Sequence, residues 1–413
     1  MQSHYLKRKA ELHKLAERLI EPDFVDKISK AYISDTSFTK KAVISREIHI
    51  PYKLLLLPRE EESQLYDREP IGTVVVFIPK NSIGLTLAKA IASSNLMGNR
   101  TRIYFPNSLK NTTPIYSKLL KDTLENIEVI EGGISSAAFM RHCLKDPEVS
   151  AIVIYGDDSW IDVYRQMAEE TKTKIIFEGP GNDPMIVFPD TDVLSAVRGA
   201  IEGGLNNGGQ SCSALERFFV HSECYNKFSI ALANELNKIR VGSAEEDQTD
   251  IGPIGSRVIF SRMIEQIQKS RDMGAVLFRG GNQYFDKQGL PILEPTILTN
   301  CSVEMPIVRD ETFGPVFPLI SFETNEELLH KLDQTKYGLN ASSYGSTPEI
   351  IKTYLEETHR NVYYNSTAAS SCNLSSRLMD GGFKRSGLIW DFSKDEHEST
   401  GRRILTLELS KPK

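Results

Sequence analysis

From Gly72 onward the chain alternates apolar, often β-branched runs with helical patterns, and this alternation restricts the fold more than any other feature. "TVVVFIP" (73–79) reads as a buried strand, and "GLTLAKAIASSNLMGN" as a helix closed by Gly98. "TRIYF" precedes the helical "PIYSKLLKDTL", "IEVIEGG" precedes a helix near 135–145, and "SAIVIYG" precedes one at 160–170. "KIIFEGPG" closes the series. Strands and helices in this rhythm predict a parallel sheet covered by helices, with a ligand site at the carboxyl edge. A dinucleotide-binding domain is the natural candidate. A second α/β set follows: "MIVF", a helix over 191–205, "ERFFVH", a helix over 224–240, "GPVFPLISF", the helical "NEELLHKLDQ" and "NVYYN".

At 413 residues the chain exceeds the size at which a single core stops growing, so these two sets imply two domains. The net charge of −6 gives no global attraction for nucleic acid or an anionic membrane. No run approaches the roughly 18 apolar residues of a membrane span. The N-terminal "MQSHYLKRKAELHKLAERLI" reads as a charged amphipathic helix rather than a signal peptide, and a cytoplasmic location is expected. The five cysteines, Cys143, Cys212, Cys224, Cys301 and Cys372, are odd in number, dispersed and free of CxxC pairs, which fits a reducing compartment. The histidines show no HxxxH or HExxH spacing, so no metal site is expected. Two outlying segments, "AVISREIHIPYKLLLL" and "ILTLELS", show strand-like alternation; strands remote from the main sheets often pair with each other or with another subunit.

The residues able to do chemistry are dispersed. Asn81 follows the first strand in "IPKN", and Glu178 ends a strand before the Gly-Pro-Gly turn of "FEGPGNDP". Cys212 lies in the loop "GGQSC", and Glu311 and Phe313 precede a strand in "DETFGPV". Each has a structural alternative when taken singly: a helix cap, a loop acid, a turn residue, a surface charge.

Taken together, "FEGPGNDPMIV", "GGQSCSALERFFVH", "TDIGPIGS", "LEPTIL", "DETFGPV", "KYGLNAS" and "GGFKRSG" resemble the aldehyde dehydrogenase superfamily in order and spacing, from about residue 5 to about 404. The resemblance implies two Rossmann-like α/β domains and a small β oligomerisation arm. It places a cofactor-binding domain at 1–41 and 67–179, with 385–400 returning to it. The catalytic domain spans 180–384, and the arm comprises 42–66 and 401–413. It implies NAD(P)-dependent oxidation of an aldehyde to a carboxylic acid through a thiohemiacetal and a thioester, in a homodimer or homotetramer. In that scheme Cys212 is the nucleophile, whose free thiol is only a few per cent ionised at neutral pH. Asn81 is the oxyanion donor and Glu178 the general base. Glu311 and Phe313 meet the nicotinamide and its ribose. Ile78, Pro79, Lys80, Phe105, Ser108, Gly156, Asp157 and Gly179 complete the expected NAD or NADP site.

The chain departs from the family pattern in several places. Phe105 replaces a lysine that holds the adenosine ribose, Ser108 an acid that follows it, Ile161 a glycine of the cofactor loop, and Lys80 an aromatic residue. The resemblance begins near the family's first long helix, so a short member lacking an N-terminal portion is expected. The "GPGN" turn is similar to that of coenzyme A-acylating members, although those lack the base at Glu178. Acyl transfer to coenzyme A and a cofactor-deficient binding or scaffold protein are the alternative functions. Specificity is expected from loops near 82–85, 211–213 and 367–373.

Overall fold

The computed structural model describes residues 2–370, 374–394 and 397–412. Two seven-stranded sheets organise the chain. In the first, the strands Ile127–Glu131, Arg100–Phe105, Thr73–Phe77, Val149–Tyr155 and Lys174–Glu178 lie side by side in that order, all parallel. Gly387–Trp390 then adds antiparallel to Lys174–Glu178, placing Gly387 opposite Glu178, and Glu398–Ser399 completes the seven as an antiparallel edge on Gly387–Trp390. Alternation explains why such strands are apolar throughout: Val74 and Val76 pack into one core and Val75 and Phe77 into the other. Each such side chain contributes roughly 1.5–3 kcal/mol by leaving water.

The second sheet runs Asn361–Tyr364, Asn340–Tyr344, Asp183–Val187, Leu215–His221, Val316–Phe322, Thr296–Thr299 and Val276–Arg279. All its pairings are parallel except the last. Ile186 and Phe219 face one core, whereas Met185, Val187, Phe218 and Val220 face the other. The expected two-domain α/β architecture is therefore present. The expected helix over 160–170 begins as a 3-10 turn, Ile161–Tyr164, before the α-helix Arg165–Thr171.

The outlying strands are not as expected. "AVISREIHIPYKLLLL" is helical: a short α-turn at Lys40–Ala42, a π-helix at Val43–His49 and an α-helix at Ile50–Leu56. Tertiary packing overrides the local alternation, because Val43, Ile48, Leu54 and Leu55 all enter the core beneath the first sheet. Glu47 is buried as well, accepting hydrogen bonds from the Tyr32 hydroxyl at 2.6 Å and the Gly84 N–H at 2.7 Å. In "ILTLELS" the residues Thr406–Leu409 form a 3-10 turn; only Ser410–Pro412 is a strand, antiparallel to Arg68–Pro70. Among the described residues no helix is long and apolar enough to cross a membrane.

Candidate active site

The carboxyl edge of the first sheet faces a loop of the second domain across a cavity of about 690 Å³. Asn81, Glu178 and Cys212, distant in sequence, all line it. So do Pro79, Gly156, Asp157, Gly179, Glu311 and Phe313. Four other expected cofactor residues do not. Ile78 is a core side chain, and Phe105 is buried against Tyr116. Lys80 turns away to donate to the Gly255 carbonyl at 3.0 Å, and Ser108 is exposed outside the cavity. Ile161 is likewise fully buried in the core. Of the expected specificity loops, residues 371–373, including Cys372, lie outside the described residues.

The nucleophile loop is built by backbone geometry. Asn207, Gly208 and Gly209 take φ values of 55°, 65° and 77°, three left-handed residues in succession. A β-carbon on Gly209 would stand 2.4 Å from the Gly314 carbonyl, and one on Gly181 only 1.8 Å from the Cys212 carbonyl oxygen. Only glycine allows these approaches. Gln210 then clamps the loop: its amide donates to the Pro253 carbonyl at 3.3 Å, and its oxygen accepts from the Gly255 N–H at 3.1 Å.

Cys212 is partly accessible, and its thiol lies within the electrostatic field of several acids. Burial pushes the thiol well above its usual range, and Glu178, Glu311, Asp183 and Asp380 push it further. Glu178 ends its strand with the carboxylate turned onto a glycine-rich segment, where Oε2 accepts from the Asp380 N–H at 2.8 Å and the Gly381 N–H at 3.2 Å. Burial, followed by the Asp380 charge, raises Glu178 to about 7, while Lys89 and the two N–H donors oppose the shift. A carboxyl poised near neutrality is suited to proton transfer. Asp380 itself is held below the usual carboxylate range despite its burial, because Lys89 donates to both its oxygens at 2.8 and 2.9 Å.

Glu311 accepts from the Gly181 N–H at 3.1 Å, and burial raises its carboxyl to about 8. Phe313 has a φ of 59°, a strained conformation for an aromatic residue. Buried Glu216 holds it there, accepting from the N–H groups of Thr312 and Phe313 at 2.7 Å each. Glu311 and Phe313 line the cavity together with Gly156 and Gly179, a carboxyl among them being a group that the hydroxyls of a dinucleotide ribose can bond to. Gly179 itself is packed so tightly that a β-carbon there would stand 2.3 Å from the Arg385 carbonyl.

Sequence reasoning missed Lys89, Asp380 and the arginines Arg46, Arg360, Arg377 and Arg403, all of which line the cavity, and Glu216, which holds the Phe313 backbone from outside it. Glu216 was detectable, since "LERFFVH" sets Glu216 and Arg217 inside an otherwise apolar strand in which both are buried. Asp380 stands directly before the "GGFKRSG" motif. The arginines carry no such local signal.

The model of the aldehyde dehydrogenase family matches residues 40–399. The chain is 27% identical over 336 residues to human 4-trimethylaminobutyraldehyde dehydrogenase, covering 78% of this chain and 65% of that protein. It is 27% identical over 333 residues to succinate-semialdehyde dehydrogenase (NADP+) 1 of Mycobacterium bovis, covering 79% of this chain and 70% of that one. The alignment thus spans about two thirds of these relatives' length. Among solved structures, an aldehyde dehydrogenase from Brucella melitensis superposes with a TM-score of 0.85 at 23% identity, covering 98% of this chain and 84% of that one. Betaine aldehyde dehydrogenase from Staphylococcus aureus in complex with NAD+ gives 0.83 at 21% identity, covering 98% and 81%. At such identities the superpositions establish the fold.

Proposed function

The chain belongs to the aldehyde dehydrogenase family, and from that membership we propose that it oxidises an aldehyde to a carboxylic acid with NAD or NADP, through a thioester on Cys212. The observation that carries the proposal is the convergence of Cys212, Glu178 and Asn81 on one cavity. Glu311, Phe313, Gly156 and Gly179 would hold the nicotinamide end of the dinucleotide, which supplies the hydride acceptor when bound.

The chain's own residues account for the remaining steps. The resting thiol is neutral, so it must lose its proton before attack, and Glu178, near 7, is the acceptor lining the same cavity. The Cys212 sulfur bonds to the aldehyde carbon, and the carbonyl oxygen becomes an oxyanion. The Asn81 amide and the Cys212 N–H are the proposed donors to it; one such donor typically stabilises the transition state by about 3 kcal/mol. Oxidation of the thiohemiacetal leaves a thioester. Glu178 first releases the thiol's proton to solvent; its ionised carboxylate then takes a proton from water, the resulting hydroxide attacks the thioester carbon, and the Cys212 sulfur leaves as thiolate and takes that proton back from Glu178. The two N–H groups that hold Glu178 stabilise its ionised form.

The test is reduced-cofactor formation from NAD+ or NADP+ across a panel of aldehydes, with and without coenzyme A. Coenzyme A-independent turnover supports hydrolysis, and strict dependence on coenzyme A transfers the reading to acyl transfer. Binding of neither dinucleotide in a fluorescence titration would favour the scaffold alternative.

A further inference from the structure

The cavity is rich in cations. Arg46, Lys89, Arg360, Arg377 and Arg403 all line it, and none comes from the carboxyl edge of the first sheet. Arg46 sits on the π-helix Val43–His49, and Arg360 directly precedes the strand Asn361–Tyr364. Lys89 is committed to Asp380 at 2.8 Å. Arg377 and Arg403 share one carboxylate, Glu60, at 2.8 and 3.5 Å.

Arg46 and Arg360 are different. Among the described residues neither forms an ion pair, and each has a buried Nε with no hydrogen-bond partner. Arg46 donates to the Asn206 side chain, and its carboxylate neighbour Glu47 is occupied by Tyr32 and Gly84. Among the described residues the Arg360 guanidinium donates to the Gly401 carbonyl alone, at 3.4 Å. Burial depresses both guanidiniums; Arg377 and Arg403 depress Arg360 further, whereas Glu47 and Cys212 act on Arg46 in the opposite sense. Arg46 is thus within electrostatic reach of the nucleophile. Asp380 and Glu60 act favourably on Arg360 as Glu47 does on Arg46, but no carboxylate bonds either guanidinium among the described residues; a buried Nε left without a partner is costly, and a ligand oxygen that bonds it removes the cost. The planar guanidinium fork suits carboxylate and phosphate oxygens.

We infer that the cavity selects aldehydes bearing a carboxylate or phosphate at the end remote from the reacting carbon, bound by Arg46 and Arg360 within the field of Arg377 and Arg403. This deepens the oxidation proposed above and rests on it. The anion leaves the reaction unchanged: the aldehyde end becomes the acid, and the remote group serves only for binding.

The experiment compares aldehydes of equal length ending in a carboxylate, a phosphate, a methyl ester or a trimethylammonium group. At least one anionic substrate is expected to exceed the ester by about tenfold or more in kcat/KM, with the cationic one lowest. The two anionic arms decide between carboxylate and phosphate. Arg46→Gln and Arg360→Gln should each reduce the anion-to-ester ratio, through KM more than kcat. Arg46→Lys, which keeps the charge, should retain a higher ratio than Arg46→Gln, separating charge loss from a folding defect. Equal rates, a preference for the cation, or a ratio unchanged in both glutamine variants would overturn the inference. If no aldehyde is oxidised, alkylation of Cys212 by iodoacetamide still decides it. Glutarate or inorganic phosphate should protect the wild type and not Arg46→Gln, and absence of protection overturns it.

Discussion

Two loops border the same cavity, one from each domain, and they are held by opposite means. The loop at 206–212 is fixed by backbone: a left-handed run, two glycines pressed against carbonyl groups, and the Gln210 clamp. The loop at 156–162 is fixed by charge. Asp158 pairs with Lys336 at 3.2 Å and Arg385 at 3.3 Å and accepts from the Tyr337 hydroxyl at 3.1 Å. Asp162 pairs with Arg385 at 2.9 Å, and Asp157 with Arg262 at 3.6 Å. Backbone contact fixes the nucleophile with little tolerance for change. Ion pairs can adjust, and salt weakens those that are exposed.

The sharpest way to break this contrast is at the nucleophile. Cys212→Ala should lower turnover by at least about 10⁴-fold while leaving the thermal transition in place, since the reaction loses its covalent step. Retained turnover, measured as reduced-cofactor formation, would remove Cys212 from the mechanism. Glu178→Gln follows, with a steady-state loss of about 10²–10⁴-fold. Rapid mixing should show that thioester formation survives better than its hydrolysis; equal loss of both would deny Glu178 a separate role with water. Gly181→Ala tests the backbone itself. Its new β-carbon would sit 1.8 Å from the Cys212 carbonyl oxygen, so the loop must move. A displacement near 1 Å can cost about 10²-fold in rate, and wild-type activity in this variant would show that the contact is slack.

Asp380 offers a finer test, because it acts on the base through charge. Glu178 serves as a base only when ionised, so activity should rise with pH through about 7. The Asp380 carboxylate raises that carboxyl, whereas Lys89 lowers it. Asp380→Asn removes the like charge and releases Lys89, so the acidic limb of the pH–rate profile should move to lower pH. A limb that stays put or moves up would mean that burial alone sets the Glu178 carboxyl. The N–H donors of Asp380 and Gly381 survive the substitution, which keeps Glu178 in place.

Legibility in the sequence followed the same division. The parallel strands could be read because burial on both faces demands unbroken apolar runs such as "TVVVF", and the nucleophile loop because left-handed backbone and close approach demand "NGG" and "GPG". The segment at 43–56 was misread as a strand. Its alternation arises from which side chains reach the core and from Glu47 bonding to Tyr32, which local pattern does not report. Phe105 was expected near a ribose and instead packs on Tyr116, because the strand's inward face claims that position. The cations of the cavity were invisible. Arg46, Arg360, Arg377 and Arg403 look like ordinary surface charges until the fold gathers them.

The smallest expected effect tests the other loop. Asp157 lines the cavity beside Gly156, and its nearest cation, Arg262, is 3.6 Å away and also lines the cavity. The Asp157 carboxyl lies below its usual range: burial raises it, but hydrogen bonds to Ser159 and the charge of Arg262 outweigh burial. It is therefore an anion throughout the neutral range, facing a site proposed to receive a diphosphate. If charge rather than backbone shapes this loop, Asp157→Asn should tighten dinucleotide binding severalfold, by relieving repulsion and freeing Arg262 for the phosphates. The gain should shrink as salt is added, because the contact is only partly shielded from solvent. Titration of NAD+ and NADP+ at two ionic strengths reads both effects. Weaker binding in the variant would mean that Asp157 positions the loop through Ser159, so that this loop too is held by local geometry and the contrast with 206–212 fails.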